Sequence, residues 1–437
     1  MLKRVCFAVL LIIVLIVQEP CFSRARSLYE GERLQNIGFN DYPIEEYEEK
    51  SIEESCVVQL KYYLNGGTNN LKNKSFYRRE ELPVVLNAPV KEGYNFAGWY
   101  ADSSFSHKIT ELTKENVKNG MLYAKWTKCI DNDYSVQMYA YQNKALENSS
   151  DKKLKNCEYN FLTQISIPGM PSTKEEDFKN NRITNTSQCP QGICLTEEYL
   201  LISSYSAKKR GNPGCIHVFD RITGEYLVSL GMKEKSHLGG LAFDGESIWV
   251  CHSDDNTLER IPYRFVQRAA SRRTQEMVDC TNLFEKYLVS NSPSCVAYYE
   301  GKLWVATHTK AFNSQMISYK ITEDGLKIDE SYRIPEKVQG VAFDKNGMVY
   351  ISTSYGRTKS SYLKVYTSLK AMDEAPLYPM LKVEMPPCSE EIVLENDRIF
   401  VLFESAAEKY FEGTDGKGTS ISPIENVLAI RKSSIFQ

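Results

Sequence analysis

The sequence predicts a mainly β protein with a small first domain and a larger second domain built from repeated sheets. Two observations predict it. Residues 54–128 contain alternating strands that end in glycine-rich turns, and residues 129–437 contain short apolar strands that recur at a spacing of roughly 45–55 residues. A chain of 437 residues is also too long for one ordinary hydrophobic core, so two or more domains are expected.

Composition excludes two classes of partner. Hydrophobic residues make up 42% of the chain and charged residues 25%, which is ordinary for a folded protein. The formal net charge of −3 provides no basic field that would attract nucleic acid or anionic lipid. We therefore expect no nucleic-acid partner, and a membrane contact only through an N-terminal segment that stays uncleaved.

Residues 1–23 have the organisation of a signal peptide. Lys3 and Arg4 precede an apolar run over residues 5–17, about 13 residues long, which is too short to cross a bilayer comfortably. The small residues Cys21 and Ser23 suit cleavage after Ser23. Cleavage predicts a secreted or cell-surface protein, and an uncleaved N-terminal anchor is the alternative. Residues 24–53 are polar and acidic, and they predict a linker.

The cysteines permit disulfides but indicate no metal site. Twelve are present, two of them in the signal segment, and the remaining even number is compatible with pairing outside the cell. Cys56 and Cys129 flank the first domain and are candidates for a closing disulfide, and Cys189 and Cys194 could bridge a bend. Cys251 looks instead like a small buried residue of a strand. Because no CxxC pair or His/Cys cluster occurs, neither a metal nor another cofactor is predicted.

Residues 54–128 carry the sharpest motif signal. Residues 57–64 alternate as a strand does and end in an Asn-Gly-Gly turn, which needs positive φ. The sequences EGYNFAGWY at 92–100 and LYAKW at 122–126 follow. In this order and spacing the segment resembles the Listeria–Bacteroides repeat, the B-repeat of internalin-type bacterial surface proteins. The resemblance implies a small β-grasp-like module that spaces or presents a neighbouring domain at the cell exterior. The residues themselves predict four core aromatics: Phe96, Trp99, Tyr123 and Trp126.

A second, fainter repeat occupies residues 129–437. Each unit joins a strand of small residues to an apolar strand through a short turn, as in residues 239–250 and 339–351, and similar units begin near 191, 294 and 390. A spacing of roughly 45–55 residues is the size of a four-stranded propeller blade. The sequence therefore predicts a β-propeller with five blades favoured and six possible. Residues 159–170 would close the ring or belong to a sixth blade, and residues 263–288 predict a helical insertion.

Polar residues fall at the strand ends of several units. In a propeller the innermost strands line an axial channel, and the loops beside them build one face where ligands collect. Ten residues in these positions are predicted to form a ligand site: Gln191, Tyr205, His252, His308, Gln339, Tyr355, Arg357, Glu390, Glu391 and Glu404. The two Gln-Gly pairs also have an architectural interpretation, because glycine permits close backbone approach and glutamine can satisfy strand-end amides.

Some of these strand-end residues are also candidates for chemistry. Glu390, Glu391 and Glu404 are the candidates for acid–base work, because two carboxylates in one closed channel have pKa values that are pushed apart. Their spacing does not establish the separation that a glycosidase needs. His252 and His308 with Asp254 could hold a divalent metal, but ordinary hydrogen-bonded histidines are the favoured interpretation, so no metal is predicted. The sequence contains no recognisable catalytic-triad or phosphate-loop motif.

Two further resemblances concern the second domain. Gln339-Gly340, the STSYGR sequence at 352–357 and the FESAAEKY sequence at 403–410 resemble secreted β-propeller proteins of Gram-positive bacteria. Residues 339–360 are also similar to the QG…STGxYGxS segment of plant-type glutaminyl cyclases, which are five-bladed. Those enzymes carry a glutamate at the start of the second motif, where this chain has Ile351 or Ser352.

These observations predict an extracellular or cell-surface protein that binds or presents a ligand. Its site would lie at the axial mouth of the propeller and would take a small molecule, a sugar or a peptide, with the cell wall or a host surface as a further partner. One alternative is a secreted propeller enzyme, a hydrolase or a glutaminyl-cyclase-like transferase that uses the channel glutamates. A purely structural surface protein with a filled channel is another.

Overall fold

The computed structural model describes residues 57–128, 154, 157–175, 187–207, 212–234, 237–312 and 314–437. Val57–Gln437 form one compact unit. The predicted signal segment at 1–23 and the predicted linker at 24–53 lie outside the described residues, as do Cys56 and Cys129. None of the described helices is long and apolar enough to cross a membrane.

The first described segment folds into a small sheet with an aromatic core. Its strands are β1 (Val57–Gln59), β2 (Lys61–Tyr63), β3 (Phe76–Arg78), β4 (Tyr94–Tyr100), β5 (Lys108–Ile109) and β6 (Met121–Lys128), with 3-10 helices at Arg79–Glu81 and Asn116–Asn119. The order β2-β6-β4-β5 forms one sheet, in which β2 runs parallel to β6, while β1 pairs with β3. Trp99 is buried at 3% exposure and lies 5.3 Å from the ring centroids of both Tyr62 and Phe96.

The remaining described residues form five further sheets. The first contains β8 (Gln188–Leu195), β9 (Tyr199–Ser206), β10 (Pro213–Asp220) and β11 (Tyr226–Glu234), with β15 (Met277–Asp279) added parallel to β11. The second contains β12 (Leu241–Phe243), β13 (Ser247–His252), β14 (Thr257–Pro262) and β16 (Glu285–Leu288). The third contains β17 (Cys295–Tyr299), β18 (Lys302–Ala306), β19 (Ser314–Thr322) and β20 (Gly325–Ile334).

The fourth sheet contains β21 (Val338–Phe343), β22 (Val349–Thr353), β23 (Ser361–Tyr366) and β24 (Leu381–Met385). The fifth contains β25 (Ser389–Glu395), β26 (Arg398–Phe403), β27 (Leu428–Arg431) and β7 (Tyr159–Phe161). Short helices connect them: α1 (Pro171–Glu175), α2 (Tyr263–Ala270), α3 (Leu369–Glu374) and α4 (Glu408–Phe411), with a 3-10 helix at Lys432–Phe436. The protein is therefore mainly β.

The first strands of the five sheets contact one another in chain order. Strand β8 contacts β12, β12 contacts β17, β17 contacts β21, β21 contacts β25, and β25 contacts β8. Each first strand thus has two other first strands as neighbours. Buried apolar side chains fill the space between successive sheets, for example Trp304 and Ile351 between the third and the fourth.

The fifth sheet takes its outer strand from the opposite end of this region. Strand β7 pairs antiparallel with β27, with Phe161 opposite Leu428 and Tyr159 opposite Ile430. Residues 159–161 thus complete the fifth sheet. The described residues contain no sixth sheet of this kind.

Two sequence expectations need correction. The helical insertion predicted at 263–288 is helical only at Tyr263–Ala270, and its remainder supplies strands to the first and second sheets. A bridge between Cys189 and Cys194 is wrong, because both are free thiols within the single strand β8. Five residues of extended strand span about 17 Å, whereas a disulfide needs its two Cα atoms within about 7 Å.

Candidate functional site

Polar side chains from the third, fourth and fifth sheets line a cavity of about 390 Å³. We call it the glutamate pocket, and its main lining residues are His308, Gln339, Ser354, Tyr355, Arg357, Glu390, Glu404, Lys409, Tyr410 and Asp415. They come from the first strands β21 and β25 and from the segments that follow β18, β22 and β26. Positions at strand ends therefore supply most of the lining, as the sequence analysis expected of a site.

Two buried carboxyl groups in hydrogen-bond contact form the floor of this pocket. Glu390 is 3% exposed and Glu404 is 7% exposed, and their side chains hydrogen-bond each other. The side-chain amide of Gln339 donates to Glu390 Oε1 at 2.9 Å, and that of Gln191 donates to Glu404 Oε2 at 3.0 Å. A register shift between Ser389 and Ile392 interrupts the pairing of β25 with β26, and such bulges re-aim side chains.

The two carboxyl groups differ in protonation. Burial raises the pKa of Glu390 well above its ordinary value, and the neighbouring charge of Glu404 raises it further. Burial also raises the pKa of Glu404, but hydrogen bonding from Tyr410 and the charge of Lys409 act in the opposite direction. Two carboxylates in contact cannot both ionise readily in a buried site. The pair therefore ionises less readily than two separate carboxyl groups, and the Lys409 charge and the Tyr410 hydroxyl favour Glu404 as its charged member.

Lys409 and two tyrosines form one wall of the pocket. The ammonium of Lys409 donates to the Tyr205 hydroxyl at 2.6 Å and to the Tyr410 hydroxyl at 3.3 Å. It also lies 5.0 Å from the ring centroid of Tyr205 and 4.9 Å from that of Tyr410. Burial raises the pKa of both tyrosines, so their hydroxyls remain neutral.

A second cation is held at the rim. The Arg357 guanidinium lies 4.6 Å from the ring centroid of Tyr410 and pairs with Asp415 at 2.6 Å. On the opposite side, the Nδ1 atom of His308 lies 3.2 Å from the carbonyl oxygen of Val338. Burial lowers the pKa of His308, so its ring is neutral at neutral pH. The charge of Arg357 is therefore already balanced by Asp415.

The structure brings eight of the ten predicted residues to this pocket. Six line it directly: His308, Gln339, Tyr355, Arg357, Glu390 and Glu404. Gln191 and Tyr205 lie behind it and hydrogen-bond Glu404 and Lys409, respectively. The prediction omitted Tyr410, which lines the pocket and is the last residue of the FESAAEKY segment, within α4. It also omitted His237, whose ring centroid is 4.7 Å from that of Tyr205.

The prediction that His252 belongs to the ligand site is wrong, because this residue does not line the glutamate pocket. Its Nε2 atom lies 2.7 Å from Glu259 Oε2, and both side chains are buried within the second sheet. Strand β13 carries His252 next to β14, so the side chain finds its partner within its own sheet. In the described part of the chain no cluster of three His, Cys, Asp or Glu side chains could hold a metal ion, so the His252, His308 and Asp254 combination does not form.

Glu391 lies deeper than its neighbour and also does not line the pocket. Its Oε2 atom accepts hydrogen bonds from the backbone amides of Ile193 at 2.8 Å and Leu241 at 2.9 Å, which belong to two other first strands. Burial raises its pKa, while these amides oppose that rise. A Cβ atom at Gly240 would lie 2.7 Å from Glu391 Oε1, and one at Gly340 would lie 2.7 Å from its Cα, so both positions need glycine. Glu391 therefore joins the first strands of three sheets.

Comparison with known proteins finds one family that matches part of this chain. No curated protein is significantly similar to this sequence. Among solved structures, the glutaminyl cyclase of Myxococcus xanthus is 10% identical with a TM-score of 0.37, over 62% of this chain and 95% of that one. The hydrazine synthase of Kuenenia stuttgartiensis is 12% identical with a TM-score of 0.31, over 50% and 56% of the two chains. Similarities of this size carry no argument about activity.

The family match concerns the first described segment. Residues 59–125 match the Listeria-Bacteroides repeat domain. The matched range covers strands β2 to β5 and most of β6, and it includes the buried Trp99. Residues 59–125 are thus a Listeria–Bacteroides repeat, as the sequence predicts.

Proposed function

We propose that the five sheets form a five-bladed β-propeller and that the glutamate pocket is a ligand site at its axial mouth. The neighbour order of the first strands and the completion of the fifth sheet by β7 support the ring. Closing a ring with a strand from the other end of the chain removes the exposed sheet edges. The protein would be an extracellular or cell-surface binding protein, with the repeat as the module that spaces or presents the propeller.

The observation that carries this proposal is the buried pair of Glu390 and Glu404 beneath an open cavity. Removing carboxyl groups from water is unfavourable, and well-packed apolar residues in such places often give a more stable fold. Glu391 already supplies the polar link between first strands, so the fold does not need two more buried carboxyls. A pair that weakens the fold and faces a cavity is best explained by recognition of a ligand.

The chemistry of the pocket indicates the kind of ligand. Glu404 carries negative charge at the floor, so it would accept hydrogen bonds from an amine or a hydroxyl group. The rings of Tyr205 and Tyr410 lie beside it, and a cavity of about 390 Å³ suits a small molecule, a sugar or the end of a peptide. The nearby charge of Lys409 would repel a bound amine, and this repulsion provides a test.

The test compares two substitutions with opposite effects. Calorimetry of the purified protein would use a panel of primary amines, amino sugars, neutral sugars and short peptides. For a probe bound through an amine, Glu404→Gln should weaken binding by about tenfold or more, because a charge-assisted hydrogen bond is lost. Lys409→Met should strengthen binding of the same probe, because a positive charge that repels the bound amine is removed. Glu323→Gln on an exposed hairpin is the matched control and should change nothing. Equal binding by all four proteins would contradict the proposal.

A second candidate is an acid–base enzyme, and the shared proton of Glu390 and Glu404 favours it. One carboxyl that is protonated beside one that is ionised provides a general acid and a general base in contact. The contact is closer than the separation of about 5 Å or more found in glycosidases, so transfer within one small substrate fits better. Cyclisation of an N-terminal glutamine is such a reaction, since the amine loses a proton and the leaving ammonia gains one. Release of ammonia from a glutaminyl peptide, absent in Glu390→Gln and Glu404→Gln, would favour the enzyme over the binding protein.

A further inference from the structure

A second cavity, of about 480 Å³, lies beside the glutamate pocket and has a different charge. We call it the lysine pocket. Its lining contains hydroxyl groups, one carboxylate and four lysines, the charged residues being Glu336, Lys337, Lys359, Lys364 and Lys382. Ser354 and Tyr355 line both cavities. The lysine pocket lies on the face of the fourth sheet toward the segment that follows β20.

The strand register places two of these lysines against each other. Lys364 on β23 is the direct cross-strand partner of Lys382 on β24. Like charges in directly opposite positions destabilise an antiparallel pair, and a hydrophobic or acidic residue at either position would relieve the repulsion. Lys364 is also partly buried, so water screens its charge incompletely.

The described carboxylates do not neutralise this cluster. Lys337 pairs with Glu336 at 2.5 Å, but Lys359, Lys364 and Lys382 form no ion pair with any described acidic residue. Glu384, the nearest acidic residue on β24, hydrogen-bonds the Ser360 hydroxyl. The cavity therefore keeps an excess of positive charge.

Aromatic groups and burial shape the same cavity. The ammonium of Lys382 lies 3.9 Å from the ring centroid of Tyr362, and that of Lys337 lies 5.6 Å from the ring centroid of Tyr355. Burial, with the charge of Lys382 second, lowers the pKa of Lys364 to about 8. These contacts hold ammonium groups and hydroxyl donors around one open space, which is the donor set that an oxyanion needs.

We propose that the lysine pocket binds an oxyanion, a phosphate or sulfate group. The cross-strand pair of Lys364 and Lys382 faces a cavity in which four lysines outnumber the single carboxylate of Glu336, and it would be stabilised by such a group. This site is separate from the carboxyl pair, and the proposal does not rest on the function proposed for the glutamate pocket.

The experiment titrates the full chain with inorganic phosphate and, separately, with inorganic sulfate, at neutral pH and constant ionic strength. Wild-type protein should bind at least one of the two anions. The anion that binds more tightly shows whether the pocket prefers a phosphate or a sulfate group. Lys364→Met should weaken binding of that anion by about tenfold or more, because one charge-assisted hydrogen bond is lost. Lys345→Met, an exposed lysine in the turn between β21 and β22, is the control and should bind as wild type does. Absence of binding in both arms, or equal binding by Lys364→Met, overturns the proposal.

Thermal unfolding without added anion separates a binding role from a structural one. Lys364→Met removes the repulsion with Lys382, so it should melt at or above the wild-type temperature. The better-bound anion should then raise the melting temperature of wild type and Lys345→Met, and leave that of Lys364→Met unchanged. A Lys364→Met protein that melts well below wild type would mean that Lys364 serves the fold, and it would overturn the proposal.

Discussion

The repeat at 59–125 and the glutamate pocket use buried side chains in different ways. The repeat buries aromatic rings against one another around Trp99, and its polar groups lie mainly at the surface or in turns. The pocket buries two carboxyl groups in contact at the junction of several sheets. Burial of aromatic rings stabilises a fold, whereas burial of carboxyl groups weakens it unless they are compensated. The comparison predicts which residues serve folding and which serve the proposed recognition of a ligand.

The largest loss of stability is expected from a substitution in the repeat. In residues 54–128 expressed alone, Trp99→Ala should reduce the free energy of unfolding by roughly 3–5 kcal/mol, because a buried aromatic leaves a cavity. Chemical denaturation measures the change. Tyr94→Ala, which truncates an aromatic that is 37% exposed, is the control and should have a much smaller effect. A loss below about 1 kcal/mol for Trp99→Ala would show that the ring is exposed and would reopen a ligand role for this surface.

Glu391 should behave like the repeat core and unlike its neighbour Glu390. Glu391→Ala removes the acceptor of two buried amides, and we expect it to destabilise the protein by about 2–4 kcal/mol, since each unsatisfied donor costs about 1–3 kcal/mol. Equilibrium unfolding of the full chain measures it, with Glu323→Ala as the exposed control. If Glu391→Ala unfolds at the wild-type midpoint, its bonds to the first strands contribute nothing and the contrast with Glu390 disappears.

The pH dependence of stability should show the raised pKa of Glu390. A carboxyl whose pKa is raised in the folded state binds its proton more tightly there, so its contribution is present at low pH and is lost as the pH rises above the ordinary value of 4.5. Glu390→Gln keeps a neutral donor beside Glu404 and cannot ionise. Between about pH 5 and pH 8, wild type should therefore lose stability relative to Glu390→Gln. Parallel profiles for the two proteins would mean that Glu390 titrates normally.

Export is expected to leave stability unchanged and to alter only the N-terminus. Mass spectrometry of protein recovered from the culture medium of an expressing bacterium should show a chain that begins near Arg24. This result would follow from the Lys3-Arg4 head and the apolar run at 5–17. Recovery of only the full-length chain, and only from the cytoplasm, would contradict secretion.

Much of this architecture could be predicted because it depends on local sequence patterns. The turn and aromatic spacing of residues 54–128 identified the repeat, and the recurrence of paired strands predicted sheets near 191, 239, 294, 339 and 390. The clustering of Glu390, Glu404 and Gln339 also followed from position, because strand ends of neighbouring units meet.

The details that could not be predicted depend on register. Glu390 and Glu391 are adjacent in sequence, and only the irregular pairing of β25 shows that one reaches the pocket while the other reaches the amides of Ile193 and Leu241. His252 was predicted to face the channel, and its contact with Glu259 depends on cross-strand placement that no spacing in the sequence reveals. The opposition of Lys364 and Lys382 depends on register in the same way.

The most direct test of the central claim measures stability and binding on one variant, Glu404→Gln. If Glu404 serves recognition, the variant should melt at or above the wild-type temperature, because a buried charge is gone. A probe from the amine, sugar and peptide panel that raises the melting temperature of wild type and of Glu323→Gln should leave Glu404→Gln unshifted. A variant that melts several degrees below wild type and still responds fully to the probe would contradict the account, since Glu404 would then serve the fold alone.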